Sequence, residues 1–149
     1  MNSKLLIPLV AAAATTGLAV TAVPAEAATP SVTFSKVYVN SPGSDNRSNT
    51  SLNAEWVLLR NNTAKSIQLK GWTVRDRSAH VYTFGSFSLG GKKTVYVHTG
   101  KGTNTSANRY WGSGNYIWNN DGDAATLRNS SNATVDSCSW KTVSASVNC

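Results

Sequence analysis

The stretch WNNDGDAATL, residues 118–127, holds the side chains best suited to chemistry in a chain with few acids. Its carboxylates, Asp121 and Asp123, are one residue apart and follow two asparagines. Acidic and amide oxygens at alternate positions can converge on a hard cation such as calcium. The same residues also favour a tight turn, because aspartates bond nearby backbone N–H groups. Read from Asn119, a calcium loop would lack its glycine at position six and its distal glutamate, so we predict a turn and no metal.

The other acids and the two histidines form no recognised catalytic motif. The chain contains no H-E-x-x-H or G-x-S-x-G sequence and no nucleophilic cysteine. His98 lies on the outward phase of a predicted strand and His80 in a predicted turn, so both are expected at the surface. We therefore predict that the protein is not an enzyme and needs no cofactor. The alternative is a small extracellular nuclease, whose His, Asp and Glu residues would meet only in the folded chain.

Glu55 is the acid with the most unusual position. It opens the apolar run EWVLLR, where a carboxylate must be either exposed or paired. We expect it at the edge of a strand, accepting hydrogen bonds from the polar loop SPGSDNRSN, residues 41–49, or from an arginine.

Cations and aromatic residues are the candidates for binding. The formal net charge is +7 although only 14% of the residues are charged, which favours contact with polyanions. Four aromatic residues, at 110, 111, 116 and 118, surround the glycines of RYWGSGNYIW and could form a stacking platform for bases or sugars. Packing across one end of the fold and a solvated basic face are the alternatives. The predicted binding residues are Lys70, Arg75, Arg77, Lys101, Arg109, Tyr110 and Trp111.

The expected partner is nucleic acid, another anionic polymer or a cell-surface component. We predict a secreted, non-catalytic interaction module that is a monomer. A carbohydrate-binding protein, an inhibitor and a structural envelope protein are alternatives that the sequence leaves open.

The first 27 residues have the pattern of a secretory signal. Lys4 precedes an apolar run, and Ala25-Glu26-Ala27 forms a small-x-small cleavage site. A membrane anchor is the rival interpretation. The predicted organisation is a cleaved signal at 1–27, of a kind typical of bacteria, a tether at 28–31 and one domain at 32–149. In an exported chain, the only two cysteines, Cys138 and Cys149, predict a disulfide.

Short alternating runs predict the elements that position these residues. Val95 and Val97 alternate with polar neighbours, as is typical of strands with one buried face. EWVLLR is apolar on both faces and predicts a central strand, and the phase slip in VTFSKVYV predicts a bulge near Ser35 and Lys36. The strand phases also place Trp56, Trp72 and Trp140 in the core. With turn signals between the runs and no helical stretch after residue 30, we predict an all-β, immunoglobulin-like antiparallel β-sandwich of eight or nine strands.

Five motifs follow one another along the chain: AEWVLLRN, IQLKGWTVRD, VYTF, LGGKKTVYVHTGKG and YIWNNDGDAATLRNSSNATVDSCSW. In order and spacing this set resembles the lamin tail domain, and the resemblance covers residues 32–140. The resemblance implies an immunoglobulin-like interaction module without catalytic residues of its own. In that family the G-D pair precedes a strand, which implies a hairpin turn at 121–123 that leads into residues 124–127. The chain departs from lamins in having no coiled-coil rod.

Overall fold

The computed structural model describes residues 17–18, 21–25 and 27–149. Most of the predicted signal segment, residues 1–27, lies outside the described residues. Within the described ranges, no helix combines the length and the hydropathy needed to cross a membrane. The predicted fold class is confirmed: the domain is an immunoglobulin-like β-sandwich.

The described residues form eleven strands and one short helix. In chain order these are β1 (Val32–Tyr38), α1 (Asn49–Asn53), β2 (Trp56–Asn61), β3 (Ile67–Gln68), β4 (Thr73–Arg75), β5 (Val81–Thr83), β6 (Ser88–Leu89), β7 (Thr94–His98), β8 (Asn108–Tyr110), β9 (Asp123–Arg128), β10 (Thr134–Trp140) and β11 (Ser146–Asn148).

The strands form two facing sheets and one small accessory sheet. The five-stranded sheet has the order β11-β1-β2-β7-β8, and the four-stranded sheet has the order β10-β9-β4-β5. The accessory sheet pairs β3 with β6. Strand β2 is central in its sheet, as predicted, with Val57 and Leu59 fully buried. The predicted bulge is also present, because the register between β1 and β2 shifts between Phe34 and Lys36.

The strand count and one pairing differ from the prediction. Eleven strands replace eight or nine, since strands of two or three residues such as β6, β8 and β11 are too short to give an alternating pattern. Strands β7 and β8 run parallel, with Tyr96 opposite Asn108. The connecting segment 99–107 returns to the level of Tyr96 in β7, so that β8 runs in the same direction as β7. The prediction of an entirely antiparallel sandwich was therefore wrong for this pair.

The short helix α1 also contradicts the prediction of no helix after residue 30. Its N-cap is Ser48, whose side chain accepts a hydrogen bond from the Ser51 backbone N–H at 3.2 Å. Five helical residues cannot show a 3.6-residue period, and the same serines and asparagines are also typical of turns. The segment was for that reason predicted as a loop.

The three tryptophans predicted in the core have different environments. Trp140 is buried, and its ring meets that of Trp118 edge-on with centroids 6.0 Å apart. Trp72 is half-buried against the core. Trp56 is also half-buried, but it points outward from the five-stranded sheet because its neighbour Val57 points inward. The core prediction was therefore wrong for Trp56.

The predicted disulfide joins Cys138 in β10 to Cys149, which follows β11. It connects the four-stranded sheet to the edge strand of the other sheet. Because Cys138 is 7% exposed and the bond closes a loop across 11 positions, replacing both cysteines by serine should lower the free energy of unfolding by about 3 kcal/mol. Urea unfolding of both proteins measures the difference. Intact mass before and after reduction checks the bond, and two free thiols in the untreated protein would contradict it.

Candidate functional site

Two arginines point outward from the four-stranded sheet. Val74 in β4 and Leu127 in β9 are fully buried and lie opposite each other. Since side chains alternate along a strand, the neighbouring Arg75 and Arg128 lie on the outer face. Arg75 was predicted as a binding residue, whereas Arg128 was missed, although the alternation of Ala125 and Leu127 in its strand would have placed it outward.

The two guanidinium groups converge on one amide oxygen. Arg75 Nη2 donates to Asn132 Oδ1 at 3.2 Å, and Arg128 Nη1 donates to the same oxygen at 3.4 Å. Asn132 lies in the turn between β9 and β10 with a left-handed φ of 63°. Its neighbour Asn129 fixes that turn by accepting hydrogen bonds from the backbone N–H groups of residues 131 and 133. The turn therefore holds two cations side by side.

Three further cations border these arginines. Lys70 is exposed. The next residue, Gly71, packs against the β9–β10 turn, since a Cβ added to it would lie 3.3 Å from Ser130 Cβ. Arg77 and Lys141 are exposed near the other end of β9. The basic face is defined here as Lys70, Arg75, Arg77, Arg128 and Lys141. Three of these five were predicted, and Arg128 and Lys141 are additions from the structure.

The basic face has no acidic partners of its own. Within residues 27–149, the only ion pair of 4.0 Å or less joins Asp76 and His80. Three carboxylates are instead buried and bind protein hydrogen-bond donors. They are those of Glu55, Asp76 and Asp123. Within residues 27–149 no carboxylate therefore pairs with a cation of the basic face, and these cations contribute unpaired charge to the net +7.

The structure separates the other predicted binding residues from the basic face. Tyr110 belongs to the five-stranded sheet and stacks on His98, with centroids 5.1 Å apart. Arg109 turns inward, with Cζ 4.0 Å from the centroid of the Phe87 ring. Lys101 is exposed beside α1, where its carbonyl accepts hydrogen bonds from two asparagine side chains. The seven predicted residues therefore do not form one site.

The aromatic residues near the glycine-rich segment are mainly engaged in packing. Trp118 is buried in the core, and Trp111 meets it edge-on at 5.9 Å between ring centroids. The Tyr116 hydroxyl is 2.7 Å from Ser51 Oγ in α1. Packing across one end of the sandwich, one of the two interpretations of the sequence, describes their positions.

Asp121 and Asp123 have different roles. Asp121 is exposed in the turn, whereas Asp123 is 3% exposed and begins β9. The Asp123 carboxylate accepts hydrogen bonds from the backbone N–H groups of Arg77, Asn119 and Ala124 at 2.8 to 3.1 Å. The predicted turn is present, but it is not a hairpin, because the preceding strand β8 belongs to the other sheet.

Glu55 is fully buried just before β2, where we predicted a strand-edge acid bonded to residues 41–49 or to an arginine. Its Oε1 accepts hydrogen bonds from Thr99 Oγ1 and from the Ile117 backbone N–H, both at 2.7 Å. Burial raises the pKa of Glu55 from 4.5 to about 7, although the hydrogen bonds from Ile117 and Thr99 lower it. Thr99 follows β7 and Ile117 lies between β8 and β9, so the partners are neither residues 41–49 nor an arginine, and the prediction of its partners was wrong.

The two histidines are both hydrogen-bonded. His80 has a 51% exposed side chain, as predicted, and its Nδ1 lies 2.6 Å from Oδ2 of the buried Asp76. His98 is half-buried, although we predicted it at the surface. Its Nδ1 donates to the Asn53 carbonyl at 2.8 Å, and its Nε2 lies 2.8 Å from Asn108 Oδ1. Both ring nitrogens of His98 therefore have protein partners, whereas Nε2 of His80 is left for solvent.

A comparison with protein-family models matches residues 25–142 to the model described as the Lamin Tail Domain. A comparison with curated proteins gives no match. The matched range contains both sheets except for β11, and it contains every residue of the basic face.

Proposed function

The chain belongs to the lamin tail domain family, whose immunoglobulin-like domains are non-enzymatic, and from this premise we propose that it is a secreted, non-catalytic module that binds an anionic polymer. The observation that carries the proposal is the basic face, whose cations have no carboxylate partner within residues 27–149. A surface that carries several cations suits a ligand that repeats its negative charges, such as nucleic acid or an anionic cell-wall polymer.

The local chemistry of the basic face supports an anionic oxygen as its ligand. Arg75 and Arg128 already point their N–H groups at one oxygen, that of Asn132. A phosphate oxygen in the same position would carry a full negative charge and form stronger hydrogen bonds with both guanidinium groups. The exposed hydroxyls of Ser137 and Ser139 in the adjacent strand β10 can donate further hydrogen bonds to a polymer backbone.

The disulfide supports the secreted part of the proposal. Disulfides persist in oxidising compartments outside the cytosol, and the Cys138–Cys149 bond ties down the end of the domain. The signal pattern at residues 1–27 gives the same expectation from an independent part of the sequence.

A small nuclease is the second candidate, and it rests on the Asp76–His80 pair. A buried carboxylate bonded to one imidazole nitrogen can orient the other as a general base. His80 also lies three residues from Arg77 of the basic face. The family has no enzymatic activity of its own, so binding without cleavage is the preferred function.

Titration of single-stranded DNA by fluorescence anisotropy tests the proposal. We expect a dissociation constant of about 10⁻⁴ to 10⁻⁶ M that weakens steeply between about 50 and 200 mM salt. Replacing Arg75 and Arg128 together by alanine should weaken binding about tenfold and reduce the salt slope by about 1.4, because two phosphate contacts with a single strand are lost. The matched control is Lys36→Ala with Arg60→Ala, which removes equal charge from the outer side of the five-stranded sheet.

Equal losses in the two double variants would contradict a specific basic face. Salt-independent binding to a neutral polysaccharide such as dextran would move the function to carbohydrate recognition. Magnesium-dependent cleavage of the DNA that is lost in His80→Ala would establish the nuclease instead.

A further inference from the structure

Glu55 has a carboxylate oxygen that the protein itself does not satisfy. The side chain is fully buried, and Oε1 accepts both short hydrogen bonds, from Thr99 and Ile117. Oε2 forms no hydrogen bond. The backbone N–H of Trp118 lies near Glu55 and lowers the pKa of Glu55. It forms no hydrogen bond with Oε2. Buried polar atoms without partners are rare and costly, so such an atom indicates a missing ligand.

A small polar pocket lies beside this carboxylate. Its volume is about 70 Å³, and Glu55 is one of its lining residues. It lies between the segment that follows β1 and the segment that precedes β9. The lining residues with side-chain oxygen atoms are Asn40, Ser41, Asp45, Glu55, Tyr116 and Asn120.

Several of these oxygens are available to a ligand. The Asn40 side-chain NH₂ group donates to the Ser144 carbonyl at 2.8 Å, which leaves its amide oxygen as the acceptor. Asp45 is exposed and takes part in no ion pair within residues 27–149. Asp45 also acts electrostatically on Glu55, raising the pKa of Glu55. The pocket therefore concentrates negative charge in a protein that is otherwise strongly basic.

We propose that this pocket binds a calcium ion, with Glu55 Oε2 and the Asp45 carboxylate as its two anionic ligands. The amide oxygens of Asn40 and Asn120 complete a set of hard oxygen ligands, together with water. Calcium accepts such mixed and irregular oxygen sets, whereas magnesium demands a near-ideal octahedron. No sulfur or imidazole lines the pocket, so the ligand set does not suit zinc or copper.

The size and composition of the pocket agree with this ligand. The pocket volume of about 70 Å³ is several times the roughly 10 to 15 Å³ that one water needs on the same measure, so the pocket has room for an ion and water. Within residues 27–149 there is no cluster of three or more His, Cys, Asp or Glu side chains suited to a metal. The two carboxylates must therefore share the ion with neutral oxygens, which predicts weak binding in the range of extracellular calcium modules, about 10⁻⁴ to 10⁻³ M.

Calorimetric titration of the EDTA-treated full chain with calcium chloride tests the proposal, together with melting temperature at each calcium concentration. The wild type should bind one calcium ion and melt at a higher temperature as calcium is added. Glu55→Gln and Asp45→Asn should each weaken binding about tenfold or more. Asp45 is exposed, so its variant keeps the fold even if Glu55→Gln does not.

The matched control is Asp121→Asn, which removes the same charge from the nearby turn outside the pocket. It should bind calcium as the wild type does. Absence of a calcium response in the wild type would overturn the proposal, as would a response lost in Asp121→Asn and kept in Asp45→Asn. An equal response to magnesium chloride would overturn the assignment to calcium.

Discussion

Replacing Asp123 by alanine should lower the free energy of unfolding by about 4 kcal/mol, because three backbone N–H groups lose a charged acceptor. Those N–H groups belong to Arg77, Asn119 and Ala124. The carboxylate is buried at 3% exposure, so water cannot fully replace it. It also joins the segment after β4 to the start of β9, and its loss should loosen both.

The matched variant Asp121→Ala should change stability by less than about 0.5 kcal/mol, because Asp121 is exposed in the same turn. Urea unfolding of the two variants and the wild type, followed by tryptophan fluorescence, measures both values. Similar losses in the two variants would show that the turn, and not the Asp123 carboxylate, supplies the stability.

Glu55 should make the domain more stable in weak acid than in weak base. Its pKa is about 7 in the folded chain and 4.5 in the unfolded one, chiefly because burial penalises the charged form. Between these values the folded state holds the extra proton, so the stabilisation is complete below pH 4.5 and is lost as pH rises through 7. In buffer containing EDTA, the loss across this window should be about 3 to 4 kcal/mol.

Comparison with Glu55→Gln isolates this effect, because glutamine keeps an oxygen for Thr99 and Ile117 but cannot ionise. Relative to the wild type, the variant should gain stability by the same amount between about pH 4.5 and 8. Urea unfolding of both proteins at each pH gives the difference directly. A difference that does not change with pH would show that Glu55 ionises at its ordinary pKa in the folded protein.

For the basic face, local sequence patterns predict which side chains point outward but not which of them meet. Arg75 was predicted as a binding residue, and the alternation of Trp72 and Val74 with their neighbours agrees with its position on the outer face. The same alternation applies to Arg128 in β9. No local pattern indicates that a left-handed Asn132 brings the two guanidinium groups together, because Arg75 and Asn132 are 57 positions apart.

The sequence by itself determined the features that depend on neighbours along the chain. The two-residue period established the strand around Val95, and the apolar run EWVLLR established the central strand around Val57. The phase slip located the bulge after Phe34. The order of motifs identified the family, and the presence of only two cysteines fixed the disulfide pairing.

Only the tertiary structure decided which residues at the strand ends are buried and which side chains lie on the same face of the sandwich. Glu55 lies just before β2, but its partners Thr99 and Ile117 are 44 and 62 positions away, and their docking buries it. Tyr110 and Arg75 belong to different sheets, so candidates that looked like one site are separated by the core. The physical reason is that burial and electrostatic environment depend on contacts between distant segments, whereas strand periodicity depends on adjacent residues alone.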